Sequence, residues 1–180
     1  MKSILFLVCR NNLSCESVKV LSINQKAKRN ICWKELAMKQ DDIAILKDIQ
    51  RNTHMAMTTL DTLLDKVEDK ELTMNLARQS IGYARIHNDA IEKLIEAKSG
   101  TYRNNQLNDI LIRGNVHANT LLNTSTSHLA DMMIQNSYKG MTDIYKSVKH
   151  HTQAGDKSVE LAQELMDFEQ KNIDILKEYL

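Results

Sequence analysis

Apolar residues recur at alternating three- and four-residue spacing along one stretch: Leu46, Ile49, Thr53, Ala56, Leu60, Leu63 and Val67. A helix turns once every 3.6 residues, so this spacing gathers all seven onto one packing face. Asp41 and Asp42 stand where helix caps belong, and Glu68-Asp69-Lys70 breaks the stripe. A second stripe follows at Leu72, Leu76, Gln79, Tyr83, Ile86, Ala90 and Leu94, and Ser99-Gly100 is a suitable stop. Two amphipathic helices separated by a short break predict a helical hairpin.

The pattern returns in the second half. Shifted by 84 positions, Leu46, Ile49, Thr53, Ala56, Met57, Leu60 and Leu64 fall on Ala130, Met133, Ser137, Gly140, Met141, Ile144 and Val148. The same shift lays Asn52 on Asn136. For the second helix the matching shift is 85, as if the turn had gained one residue: Gln79 meets Glu164, Tyr83 meets Phe168 and Asp89 meets Asp174. Between the two hairpins lie about 25 residues, long for a connection. Part of that segment is periodic (Leu107, Ile110, Leu111, Ala118, Leu121 and Leu122) before Thr124-Ser125-Thr126-Ser127, a run of capping residues. Residues 106–123 form either a separate crossover helix or an extension of the third helix. The fold class is all-α. Two tandem hairpins joined by a long, partly helical crossover make a ferritin-like four-helix bundle.

Composition agrees. There is no proline, there are five glycines, and aromatics make up 4% of the 180 residues. The net charge of +1 gives no footprint for nucleic acid. That charge is unevenly spread: residues 1–37 hold seven Lys/Arg against two Glu, a net of +5, which leaves −4 for the rest. Cys9, Cys15 and Cys32 all lie in that first segment, so no thiolate metal site belongs to the bundle. Ile4-Leu5-Phe6-Leu7-Val8 is shorter than a secretory h-region and ends at Arg10, and no apolar run reaches the ~20 residues of a membrane span. The reading is a cytoplasmic protein with a leader, residues 1–37, outside a bundle domain, residues 38–180. Met38 is an alternative start.

The stretches Ile49-Gln50-Arg51-Asn52, His117 through Asn123, Thr124 through His128, Met133-Ile134-Gln135-Asn136 and Asp167-Phe168-Glu169 resemble small, uncharacterised ferritin-like proteins of anaerobic Gram-positive bacteria. A weaker resemblance is to spore-coat helical-bundle proteins. Ferritin-like di-iron proteins place a Glu on each of two helices and a Glu-x-x-His on each of the other two. With turns near Asp69 and Ala154, the equivalent positions here are Asn52, Ala84, His87, Asn136, Glu169 and Asn172. Only His87 and Glu169 are ordinary ligands, so the resemblance implies a degenerate di-metal site.

Beside that reading stands a buried polar layer that fixes helix register: Asn52, Gln79, His87, Asn136, Glu164 and Asn172. His54 lies off the stripe and reads as solvated. His150-His151 diverge on a helix and make a poor chelating pair. No phosphate loop, Glu-x-x-His, His-Glu-x-x-His or nucleophile elbow occurs. Met74, Ile81, Met55, Met132 and Met166 lie off the core stripes, which calls for a cover, the crossover or a second subunit. The function expected is therefore a non-enzymatic bundle working by association with a protein partner or with itself, as in a homodimer, in a structural or coat-type role, with no cofactor. The alternative is a metal-binding or redox protein holding iron or another divalent metal around His87 and Glu169.

Overall fold

The computed structural model describes residues 39–103, 105–121 and 123–180. The chain separates into two units between Met38 and Lys39, and the leader with its three cysteines lies outside the described residues, as does Leu122. The described chain is all-α. It forms α1 (Gln40–Leu64), α2 (Lys70–Glu96), α3 (Gln106–Thr120), α4 (Thr126–His150) and α5 (Asp156–Leu176), closed by a 3-10 turn at Lys177–Tyr179. Among the described residues there is no strand, and no helix is long and apolar enough to cross a membrane.

The second stripe holds without a slip, for its seven members are the buried residues of α2. Asp69 starts that helix by accepting the Leu72 N–H at 2.8 Å. The stop lies at Lys98, where φ is 53°. Lys98 N–H bonds Ile95 O at 2.8 Å and Ser99 N–H bonds Leu94 O at 2.9 Å, a Schellman ending. A lysine takes the left-handed position that the sequence reading gave to the Ser99-Gly100 pair.

The internal repeat also survives, with one correction. Leu129, Ala130, Met133, Ser137, Ile144 and Ser147 of α4 are buried 84 positions after Ile45, Leu46, Ile49, Thr53, Leu60 and Leu63 of α1. The buried residues of α5, however, follow those of α2 by 86: Ser158, Ala162, Leu165, Glu169, Asn172 and Leu176 answer Leu72, Leu76, Gln79, Tyr83, Ile86 and Ala90. The shift of 85 is one residue short. One residue is 100° of helix, so the shorter shift turns Glu164 toward the core when it faces out.

α1 packs against α2, α4 against α5, and α1 also touches α4 and α5 while α2 touches α5. Side-chain hydrogen bonds fix the directions. Thr53 meets His87, Asp48 meets Ser147 and Asn52 meets Gly140, so α1 runs opposite to both α2 and α4. α2 runs opposite to α5, through Asn75 with Tyr179 and Tyr83 with Glu169. α2 and α4 therefore run the same way, and the segment between them must travel the length of the structure. It does so as a helix of its own: α3 lies along α1 in the same direction, through Gln50 with Tyr102, His54 with Asp109 and Thr62 with Arg113. Close approach of α2 and α5 needs Gly82, where a Cβ would overlap the Phe168 ring.

Two carboxylates bind the ends together. Asp42 Oδ1 accepts from Gly155 N–H at 2.7 Å and from Ser158 Oγ at 2.5 Å, while Oδ2 takes Lys39 N–H at 2.9 Å. Asp41 accepts Gln153 N–H at 2.8 Å. The sequence reads both as caps of their own helix. Asp42 does close the start of α1, but it also caps α5, whose N-cap is Gly155 and has no side chain to offer.

A polar cluster at the centre of the helices

The strongest candidate site lies where α1, α2, α4 and α5 meet. Tyr83 from α2 and Glu169 from α5 are 1% and 2% exposed, and the phenol donates to Glu169 Oε2 at 2.6 Å. Burial pushes the Glu169 carboxyl up to about 7, against the pull of Tyr83 and Ser137. Burial, then the Glu169 charge, drives the Tyr83 phenol well above its ordinary range, so it keeps its proton as the donor. Ser137 from α4 and Asn172 from α5 are also buried, although Ser137 Oγ and Asn172 Nδ2 make no hydrogen bond of ordinary geometry.

Gly140 shapes the wall beside this pair. Its carbonyl accepts from Asn52 Nδ2 at 3.2 Å, and a Cβ there would sit 3.1 Å from the Asn52 amide and 3.2 Å from Glu169 Oε1. The missing side chain helps leave a cavity of about 90 Å³ between α1 and α4, reached past Arg51, Lys139 and Asp143. Ordinary ligand clefts run to about 300–1,000 Å³. A carboxyl with a pKa near 7 could move a proton, yet this one is tied to a tyrosine behind a very small cavity.

The six residues assigned to the buried layer divide. Gln79 and Asn172 are buried, Gln79 with neither amide atom partnered. Asn52 and His87 are half-buried. Asn136 and Glu164 are exposed, and this corrects their placement. Asn136 lines the same cavity as Asn52, but Asn52 bonds Gly140, one helical turn further along α4. Glu164 follows the register error, and it pairs with Arg85 at 2.6 Å on the surface.

His87 and Glu169, the two candidate ligands, do not form a ligand set. His87 Nδ1 lies 2.9 Å from Thr53 Oγ1, whose own proton reaches Ile49 O at 2.9 Å, so the ring is assigned as the donor. Burial, aided by nearby His54, holds His87 below its usual range and keeps it neutral. Glu169 is committed to Tyr83 instead. Ala84 offers no donor atom. Among the described residues no three His, Cys, Asp or Glu side chains gather where one ion could be held. The residues present do not fit a di-iron centre.

His54 is another correction. It is half-buried beneath α3 with Nε2 2.8 Å from Asp109 Oδ1, because the crossover covers that side of α1. The sequence reading missed the Tyr83–Glu169 pair because it matched Tyr83 with Phe168. Phe168 instead meets the Tyr83 ring edge-on, with centroids 5.0 Å apart. Compared with protein-family models, curated proteins and solved structures, the chain matches none.

Proposed function

We propose that residues 38–180 are a ferritin-like four-helix bundle, two helical hairpins with α3 as the crossover, that acts without catalysis through protein–protein association. The role is structural or coat-type, in the cytoplasm, and the place where ferritin-like proteins hold two metals is a hydrogen-bonded cluster around Tyr83 and Glu169. The opposed directions of α1 and α4 and the full-length return of α3 support the topology. The observation that carries association is the apolar surface left open: Leu107, Ile110, Leu111 and Leu121 of the crossover are all at least 64% exposed. The crossover does not cover Met74 and Ile81 of α2 either, which remain 53% and 71% exposed. Sedimentation velocity of the full chain over a concentration series tests the reading. A species heavier than the monomer, growing with concentration, is expected. A protein that stays monomeric throughout and turns over a substrate would sink it.

A further inference from the structure

α3 turns toward solvent a face unlike the rest of the molecule. Leu107, Ile110, Leu111 and Leu121 stand on it at 66%, 64%, 70% and 79% exposure. The only charged residues of the helix, Asp109 and Arg113, reach back to His54 and Thr62 of α1. A chain in which 26% of residues are charged thus keeps Asp, Glu, Lys and Arg off one whole helix face. Single exposed leucines need no explanation. Four on one face present on the order of 500 Å² of apolar surface, the upper end of what monomers leave open.

The pattern on that face is symmetric about Gly114. Leu107 and Leu121 lie seven residues to either side of it, Ile110 and Ala118 four, and Leu111 and His117 three, the last pair unlike in kind. A glycine inside a helix costs about 1 kcal/mol relative to alanine. Among the described residues no atom lies within 4 Å of where a Gly114 Cβ would stand, so their packing does not require it. Two helices crossing at that residue do call for it.

From these observations we infer that α3 is a homodimer interface, in which two copies pack antiparallel about a twofold axis at Gly114. Leu107 then meets the second copy's Leu121, and Ile110 meets the second copy's Ala118. A twofold contact must be self-complementary, and here Leu107 meets its like while the larger Ile110 and Leu111 meet the smaller Ala118 and the ring of His117. A face of one charge sign would repel its own copy, whereas this one carries none. Beside the apolar ridge runs a groove of about 380 Å³ between α3 and α4, where Leu111, Met55 and Met132 stand among polar residues that include Asn119, Asp131 and Lys139. Ridge and groove side by side let each copy seat the other's helix. The groove adds to the ridge toward the ~800 Å² per partner of a stable interface. The inference rests on the association reading and gives it a partner and a surface.

Sedimentation velocity of the full chain as wild type, Leu111→Glu and Gly114→Leu tests it. Both positions are open in the single chain, so helical content should hold, and Tm should fall only by what loss of the dimer removes. The wild type should be a dimer, and each substitution should weaken dimerisation about tenfold or more, as a charge or a bulky side chain enters the contact. A wild-type dimer that neither substitution disturbs overturns the inference and leaves association through another face standing. A monomeric wild type overturns the inference and removes self-association with it.

Discussion

Replacing Asp42 with alanine should cost about 3 kcal/mol of stability, read as a lower urea midpoint with an unchanged slope. The residue is 6% exposed and its carboxylate joins three points of the chain. Losing it removes a cap from α5, worth about 1–2 kcal/mol. That cap is the bond from Gly155 N–H; the Lys39 N–H loses its acceptor too, a further ~1–2 kcal/mol, while the Ser158 hydroxyl keeps Gly155 O at 3.0 Å. Asp42→Asn keeps an acceptor oxygen and should recover part of the loss. Burial alone would raise the Asp42 pKa, but the bonds from Ser158, Gly155 and Lys39 outweigh it and hold the carboxyl below its ordinary range. A lowered carboxyl pKa stabilises above the unfolded value near 4 and loses that contribution as pH falls through the folded value. The wild type should therefore lose stability in acid, with Asp42→Ala flatter over the same range. Equal stability of wild type and Asp42→Ala would show that the turn from His151 to Gly155 is held by something else.

Glu169 should tilt stability the other way. Its pKa rises from 4.5 to about 7 on folding, so between those values the folded chain holds more protons than the unfolded one. Stability then falls as pH rises through that window, by on the order of 3 kcal/mol for a shift of this size. His87 works against this slope, since its lowered pKa makes folding less favourable as pH drops below about 6.5. Glu169→Gln separates the two. It keeps an acceptor for Tyr83 and removes the titration, so the variant should match the wild type at pH 5 and exceed it at pH 8. Urea unfolding at the two pH values measures the crossover. Parallel losses at both would mean that the carboxyl ionises freely in the folded chain.

Much of the architecture was legible in the sequence because a single physical rule writes it. Every member of the α2 stripe is buried, including the polar Gln79, since period alone decides the facing of a helix packed on one side. Matching the two halves placed α4 correctly for the same reason. It failed at α5, where Leu76-Ala77 against Leu161-Ala162 suggested 85 and packing chose 86. Two adjacent identities cannot distinguish registers one residue apart when both members of the pair are small or apolar. The buried residues Leu161, Leu165, Glu169, Asn172 and Leu176 form a three- and four-residue series, and reading it with its polar members included would have found the register.

What lies between helices was less visible. Asp42 looks like an ordinary cap, and nothing local says that its second oxygen serves a helix more than a hundred residues away. The periodic apolar series in α3 does not mark its buried face, for Val116 and Thr120 are the residues it buries. Asp109 and Arg113 reach α1 from this helix, while its leucines face outward.

On the proposed reading, the Tyr83–Glu169 cluster should hold no tight site for iron. Anaerobic calorimetric titration of ferrous iron, and separately of zinc, into the untagged full-length protein measures this directly. The expected result is binding no stronger than surface histidines give, unchanged by His87→Ala or Glu169→Ala. Tight, stoichiometric binding that either substitution abolishes would contradict the account and make the cluster a metal centre.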